Sequence, residues 1–220
     1  MSLKIWFQNW LSLSPVKEYL SPINGPMQVT MVLNKPRLIV GGMLQSGGLV
    51  RQIWNKAINK IFHEKVEVEK ALILGLGCGD CAFAIHRHYP QAQMTGVEID
   101  AQVVDAAQCY FDLAVLKNLK ISIGDGLTYV KKVTKTKTKF DLIIIDVYLG
   151  KDAPNSFRSK SFFNQLKQLL NPKGVIIYNH LFFDEHKNKA KSLIKVIETI
   201  LPKISLQRTA SNLLIFAKRN

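Results

Sequence analysis

Ala71-Leu72-Ile73-Leu74-Gly75-Leu76-Gly77-Cys78-Gly79-Asp80 drives four apolar residues into three glycines at alternate positions, and a helical pattern follows from Cys81 to Tyr89. The run reads as a buried strand, a tight turn and a helix start. Glycine suits the turn because a Cβ would hold a ligand away from the backbone and keep the chain from tightening. The helix then opens beneath the ligand with free N–H groups. A second strand, Gln93-Met94-Thr95-Gly96-Val97-Glu98-Ile99-Asp100, ends in acids. Glu98 stands 19 residues past Gly79, near the offset of about 20 at which a carboxylate takes a ribose hydroxyl pair. A glycine turn alone says little. Flanked by strand and helix, with a strand-end acid at that spacing, it points to nucleoside binding.

The surrounding chain supports this frame. From residue 70 onward short apolar strands are expected at 71–75, 93–98, 119–123, 141–146 and 174–179. Helices are expected near 80–89, 101–113, 126–133, 159–170 and 186–200. That alternation means an α/β fold with a mostly parallel sheet covered on both faces. The last stretch, Lys203–Arg208 followed by Leu213–Ala217, reads as a hairpin, so an antiparallel C-terminal strand is expected. Ahead of the sheet, Met27–Leu33, Arg37–Val40 and Met43–Gln45 suggest a small N-terminal β unit. A helix over about 49–63 follows, with Trp54 and Phe62 read as core. The expected division is 1–66 for the N-terminal segment, β unit and helix, and 67–220 for the nucleoside-binding domain. Residues 1–22, with Trp6, Phe7 and Trp10 among them and Pro15 and Pro22 as breaks, suggest a short amphipathic segment.

Composition narrows the class. With 47% hydrophobic and 21% charged residues among 220, the chain is globular rather than disordered. No apolar run is long enough to span a bilayer, and no signal peptide is expected. The three cysteines, Cys78, Cys81 and Cys109, are odd in number and lack cluster spacing. Reduced thiols, a cytoplasmic setting and no metal are therefore expected. The net charge of +14 favours acidic partners. Yet the one dense lysine run, 131–139, has no interleaved aromatics for stacking bases, and an ordinary solvated loop explains it. Nucleic acid is thus not supported beyond net charge.

Chemistry is expected at the carboxyl ends of the strands. There the sequence gathers Gly75, Gly77 and Gly79, then Glu98 and Asp100, then Gly124-Asp125-Gly126, then Asp146-Val147-Tyr148. Asp125 is placed for an adenine amino group, with Gly126 letting the base lie close, and it also suits a helix N-cap. Asp146 ends a fully apolar strand, so it needs hydrogen bonds or a cation. It is the expected general base. Tyr148, Asn179 and His180 are expected to line the acceptor side, His180 being better placed for acid/base work than His86 and His88, which fall on a helix.

These motifs, in this order, resemble the spermidine synthase family, within the class I S-adenosylmethionine-dependent methyltransferase (Rossmann-like) fold. The resemblance covers roughly residues 24–180 and implies a small-molecule acceptor, with a homodimer as a further expectation. It assigns Glu98 to the ribose, Asp125 and Gly126 to the adenine, Gln45 to the nucleoside, and Asp146 to deprotonation of the attacking amine. The family's glycine loop carries an Asp where this chain has Cys78, though Asp80 is nearby. Its second strand-end acid is lost in Asp146-Val147-Tyr148-Leu149-Gly150, and Arg51-Gln52-Ile53 replaces a tyrosine and an acid. Arg51 in the pocket would repel a diamine and could receive a carboxylate. Three readings stay open: methyl transfer from S-adenosylmethionine to an unidentified acceptor, aminopropyl transfer from decarboxylated S-adenosylmethionine in polyamine synthesis, and a nucleoside-binding interaction module without catalysis.

Overall fold

The computed structural model describes residues 15–149, 153–209 and 211–219. It contains two sheets. The first is antiparallel, in the order β1 (Pro15–Ser21), β2 (Gly25–Val32), β3 (Lys35–Val40) and β4 (Met43–Ser46). Helix α1 (Gly48–His63) connects it to the second sheet. That sheet is built from β5 (Lys70–Leu74), β6 (Gln93–Glu98), β7 (Leu119–Ile123), β8 (Phe140–Ile145), β9 (Leu170–Leu181), β10 (Lys203–Arg208) and β11 (Asn212–Lys218). Its seven strands are ordered β10-β11-β9-β8-β5-β6-β7. Strands β5 to β9 are parallel, whereas β11 lies antiparallel between β9 and β10, as the hairpin reading requires.

Strand order reverses at β5, whose neighbours are β6 on one side and β8 on the other. In an open parallel sheet this reversal leaves a crevice at the carboxyl ends of the strands. The apolar residues explain why β5 and β8 sit at the centre. Ala71–Leu74 and Leu142–Ile145 are all 0% exposed, so both faces of each strand must be covered. On one face lie α1, α2 (Asp80–His88) and α3 (Ala101–Tyr110), packed with Met27, Val29, Leu38 and Val40 of the small sheet into a single apolar cluster. On the other lie α4 (Gly126–Val133), α5 (Lys160–Leu169) and α6 (His186–Glu198).

Several boundaries differ from the sequence expectation. The segment 1–22 contains a strand, β1; residues 1–14 of the expected amphipathic segment lie outside the described residues. Pro15 is tolerated because β1 is an edge strand and Pro15 its first residue. Helix α3 ends at Tyr110 rather than 113, since Asp112 turns left-handed at φ 57° before a 3-10 turn at Leu113–Val115. Strand β9 begins at Leu170, directly after α5, and not at 174. Phe62 is 45% exposed and packs on His88 and Tyr89 instead of entering the core.

Candidate active site

A cavity of about 490 Å³ opens at the reversal point, walled by β4, α1 and the loops after β5, β6, β7, β8 and β9. Strand β5 enters it through Gly75. A Cβ there would fall 2.1 Å from the Asp146 carbonyl oxygen, and φ is +83°, so the two strand tips cross at a distance only glycine permits. That crossing sets the tip of β5 against the end of β8 and brings Asp146 to the cavity.

Glu98 is 8% exposed and faces the glycine turn. Its Oε2 accepts the Gly77 N–H at 2.9 Å and its Oε1 accepts the Asp100 N–H at 3.1 Å. Burial pushes its carboxyl group upward in pKa, and the backbone N–H groups oppose that rise. Each oxygen keeps a lone pair, which suits a vicinal diol. Asp125 caps α4, its Oδ2 accepting the Thr128 N–H at 2.7 Å, and it keeps a second carboxylate oxygen for a ligand. Beside it, Gly124 lines the cavity, and a Cβ built on it would meet nothing within 4 Å. Val97, Ile99, Val103 and Phe157 supply apolar walls. A flat base on apolar walls, a diol on Glu98 and an exocyclic amine on Asp125 therefore fit an adenosine group.

Asp146 is held on both oxygens. Asn179 Nδ2 donates to Oδ1 at 2.8 Å and Trp54 Nε1 donates to Oδ2 at 3.1 Å. Asn179 is itself fixed by Asn212 Nδ2, which donates to its Oδ1 at 2.9 Å. Burial raises the Asp146 carboxyl group to about 6, against the lowering effect of its two donors. A carboxylate in that range is mostly ionised at neutral pH and still basic enough to take a proton.

A family model described as spermine/spermidine synthase domain matches residues 55–212. The chain belongs to this family. A methyltransferase homolog of Drosophila melanogaster, the eEF1A lysine and N-terminal methyltransferase homolog, is 35% identical over 130 residues, 56% of this chain and 19% of that protein. The polyamine aminopropyltransferase of Vibrio vulnificus is 34% identical over 111 residues, 50% of this chain and 37% of that protein. The chain thus spans between a fifth and two fifths of the length of these curated relatives. Among solved structures, a spermidine synthase in complex with the transition state analogue AdoDATO superposes with a TM-score of 0.76 at 18% identity, covering 94% of this chain and 74% of that one. Human methyltransferase-like protein 13 in complex with SAH gives 0.66 at 22% identity, covering 79% and 83%. These likenesses show the fold.

In this member of the spermine/spermidine synthase family, most of the residues singled out from sequence meet at one cavity. Gln45, Gly75, Gly77, Asp80, Glu98, Asp125, Gly126, Asp146, Tyr148 and Asn179 all line it. Two do not. Gly79 caps α2 at φ +88°, and its would-be Cβ lands 2.3 Å from Leu113 Cδ1, so packing rather than a ligand demands glycine there. His180 is 2% exposed and alternates to the opposite face of β9 from Asn179, with its ring near Tyr178 and His186. An acceptor-side acid/base role is therefore corrected to an interior one.

Asp80 reaches the cavity wall, but its oxygens are occupied: Oδ2 accepts the Gly47 N–H at 2.6 Å and Oδ1 pairs with Arg51 Nε at 2.9 Å. Arg51 lies over the Phe83 ring and is absent from the cavity lining, so the charge expected in the pocket is spent on Asp80. Cys78 is fully buried, its N–H given to Ser46 Oγ at 3.1 Å, and burial pushes its thiol well up in pKa. Asp100 caps α3 and accepts Ser21 Oγ at 2.5 Å and Asn24 Nδ2 at 2.7 Å. Trp54 and Asn212 were not singled out as site residues. The indole offered a signal, because a buried Trp N–H needs an acceptor; Asn212, in a turn before a hairpin strand, offered none.

Proposed function

We propose that this domain is an S-adenosylmethionine-dependent transferase that methylates an acceptor, with Asp146 as the general base. The observation that carries it is Asp146 clamped by Trp54 and Asn179 in the same cavity as Glu98 and Asp125. Glu98 would hold the ribose diol, and Asp125 with Gly124 and Gly126 the adenine. Bound there, S-adenosylmethionine supplies a methyl carbon made electrophilic by a positive sulfur. As the acceptor's lone pair forms its bond to carbon and the carbon–sulfur bond breaks, positive charge passes to the acceptor. Asp146 takes the proton that the acceptor then sheds. Trp54 and Asn179 keep both carboxylate oxygens fixed, so the base is positioned before the acceptor arrives. The relationship to the fly methyltransferase homolog supports this reading. So does the acceptor side, where Asp146 alone of the four lining acids is held only by side chains among the described residues. The described cysteines are all free thiols, which fits a cytoplasmic setting.

A second reading, aminopropyl transfer as in polyamine synthesis, draws on one observation. The described lining residues include Asp80, Glu98, Asp125 and Asp146 and no Lys, Arg or His. Such a cavity favours cationic ligands and offers no side-chain cation to a cofactor carboxylate. Titration calorimetry with S-adenosylmethionine, its decarboxylated form and methylthioadenosine separates the two. Tighter binding of S-adenosylmethionine supports methyl transfer, tighter binding of the decarboxylated form supports aminopropyl transfer, and binding of none removes the enzyme reading.

A further inference from the structure

The net charge of +14 is not spread evenly over the molecule. Segments 126–139, 155–173 and 184–203 carry fourteen lysines and arginines against three acids, while all other residues carry sixteen against thirteen. In sequence the three segments are separate, and only the first looks like a basic run. In the fold they are α4, α5 and α6 with their adjoining loops, packed side by side on one face of the large sheet. Lys131, Lys135, Lys160, Lys187, Lys191 and Lys195 on this layer are exposed. None of these six lysines takes part in the ion pairs Arg51–Asp80, Lys60–Glu64 and Lys218–Glu64 seen among the described residues. A general excess of lysine in the chain would have charged both layers alike. The α1–α3 layer is close to balanced, so the asymmetry belongs to this surface.

We propose that the α4–α5–α6 layer is a docking surface for the phosphodiester backbone of a structured nucleic acid, bound without regard to sequence. Three observations select this occupant. The large exposed apolar side chains include none in α4, α5 or α6. A protein partner needs such anchors at the core of its interface, and a membrane surface is held firmly only when apolar side chains insert. A phosphate backbone needs neither, because release of its condensed counterions supplies the driving force. Exposed aromatic rings, on which unpaired bases would stack, are also missing from the three helices, so backbone contact rather than single-strand stacking is the mode. Finally, the surface avoids the cavity. Only the N-terminal end of α4, through Asp125 and Gly126, and the buried Phe157 ahead of α5 touch it, so a bound polyanion leaves the proposed active site open.

The test is fluorescence anisotropy of the full chain with a labelled RNA hairpin and a labelled DNA duplex between 50 and 300 mM salt, on the order of the range over which such binding collapses. Three proteins are compared: the unaltered chain, a variant with Lys131→Glu, Lys191→Glu and Lys195→Glu, and a control with Lys56→Glu, Arg87→Glu and Lys117→Glu on the opposite side. The expected result is salt-dependent binding, weakened at least about tenfold and with a shallower salt slope in the first variant, and nearly unchanged in the control. Equal losses in both variants, or no binding by the unaltered chain at 50 mM salt, overturn the proposal. Tighter binding to phosphatidylserine vesicles or to polyglutamate than to either nucleic acid overturns it too. Preference between RNA and DNA names the source. Unchanged methylthioadenosine affinity in all three proteins shows that the substitutions leave the fold intact.

Discussion

Trp54 and Asp146 stand 92 positions apart and meet through one hydrogen bond, the indole N–H donating to Oδ2 at 3.1 Å. The helix of the N-terminal unit thereby sets the electronic state of a carboxylate at the tip of a central strand. Replacing Trp54 by Phe keeps most of the bulk and removes the donor. A donor to the charged form lowers an acid's pKa, so its loss moves Asp146 further above 6. Because the base acts when ionised, the acid limb of a kcat/KM profile should move to higher pH, by roughly one unit. An unmoved limb would mean that another group titrates there.

Asp146→Asn removes the proton acceptor and leaves one acceptor oxygen for two donors. Turnover should fall on the order of a hundredfold to ten-thousandfold, with cofactor affinity within about threefold. Single-turnover kinetics and calorimetry measure the two separately. Parallel losses would place Asp146 in binding rather than in proton transfer.

The pH dependence of binding follows from the same raised pKa. Asp146 is neutral below about 6 in the free protein and ionised above it. A positive sulfur nearby favours the ionised form. Affinity for S-adenosylmethionine should therefore rise as pH increases from 5 to 7, whereas methylthioadenosine, uncharged at sulfur, should bind with little change over these approximate limits. Calorimetry across that interval tests the difference.

Glu98→Gln puts an amide NH₂ where two backbone N–H groups already point. One of the contacts to Gly77 and Asp100 must be lost, along with charge-assisted acceptance of the ribose. Nucleoside affinity should drop on the order of tenfold or more. If methylthioadenosine binds equally well, the ribose lies elsewhere.

The two glycines that flank the turn should respond differently to alanine. At Gly79 the new methyl meets the end of the Leu113 side chain, and at Gly75 it meets the carbonyl of Asp146. Both sit at positive φ. Gly79→Ala should cost about 1–2 kcal/mol with ligand affinity retained, and Gly75→Ala about 3 kcal/mol or more. Urea unfolding gives both values.

Much of the frame was legible because local chemistry and global fold agree there. Apolar strands that stop at glycine or acid, and helices that begin at Asp100 and Asp125 caps, announce themselves over a few residues. What escaped depends on long-range meetings. Trp54 looks like core from its own helix, and Asn212 looks like a turn, yet together with Asn179 they orient Asp146. Arg51 read as a pocket cation because nothing local reveals its pairing with Asp80, 29 residues on. His180 was misplaced because one step along a strand decides the face, and strand ends are read less sharply than strand centres.

The seam between the two sheets has a practical corollary. Asp80 is gripped by Gly47 and Arg51, and Asp100 by Ser21 and Asn24. These are matched sets, donors from one unit and an acceptor from the other. A chimera that borrows residues 1–66 from another member of the family inherits one half of each set. Unless the corresponding acids travel with it, the hybrid begins with two orphaned carboxylates beside its own binding cleft.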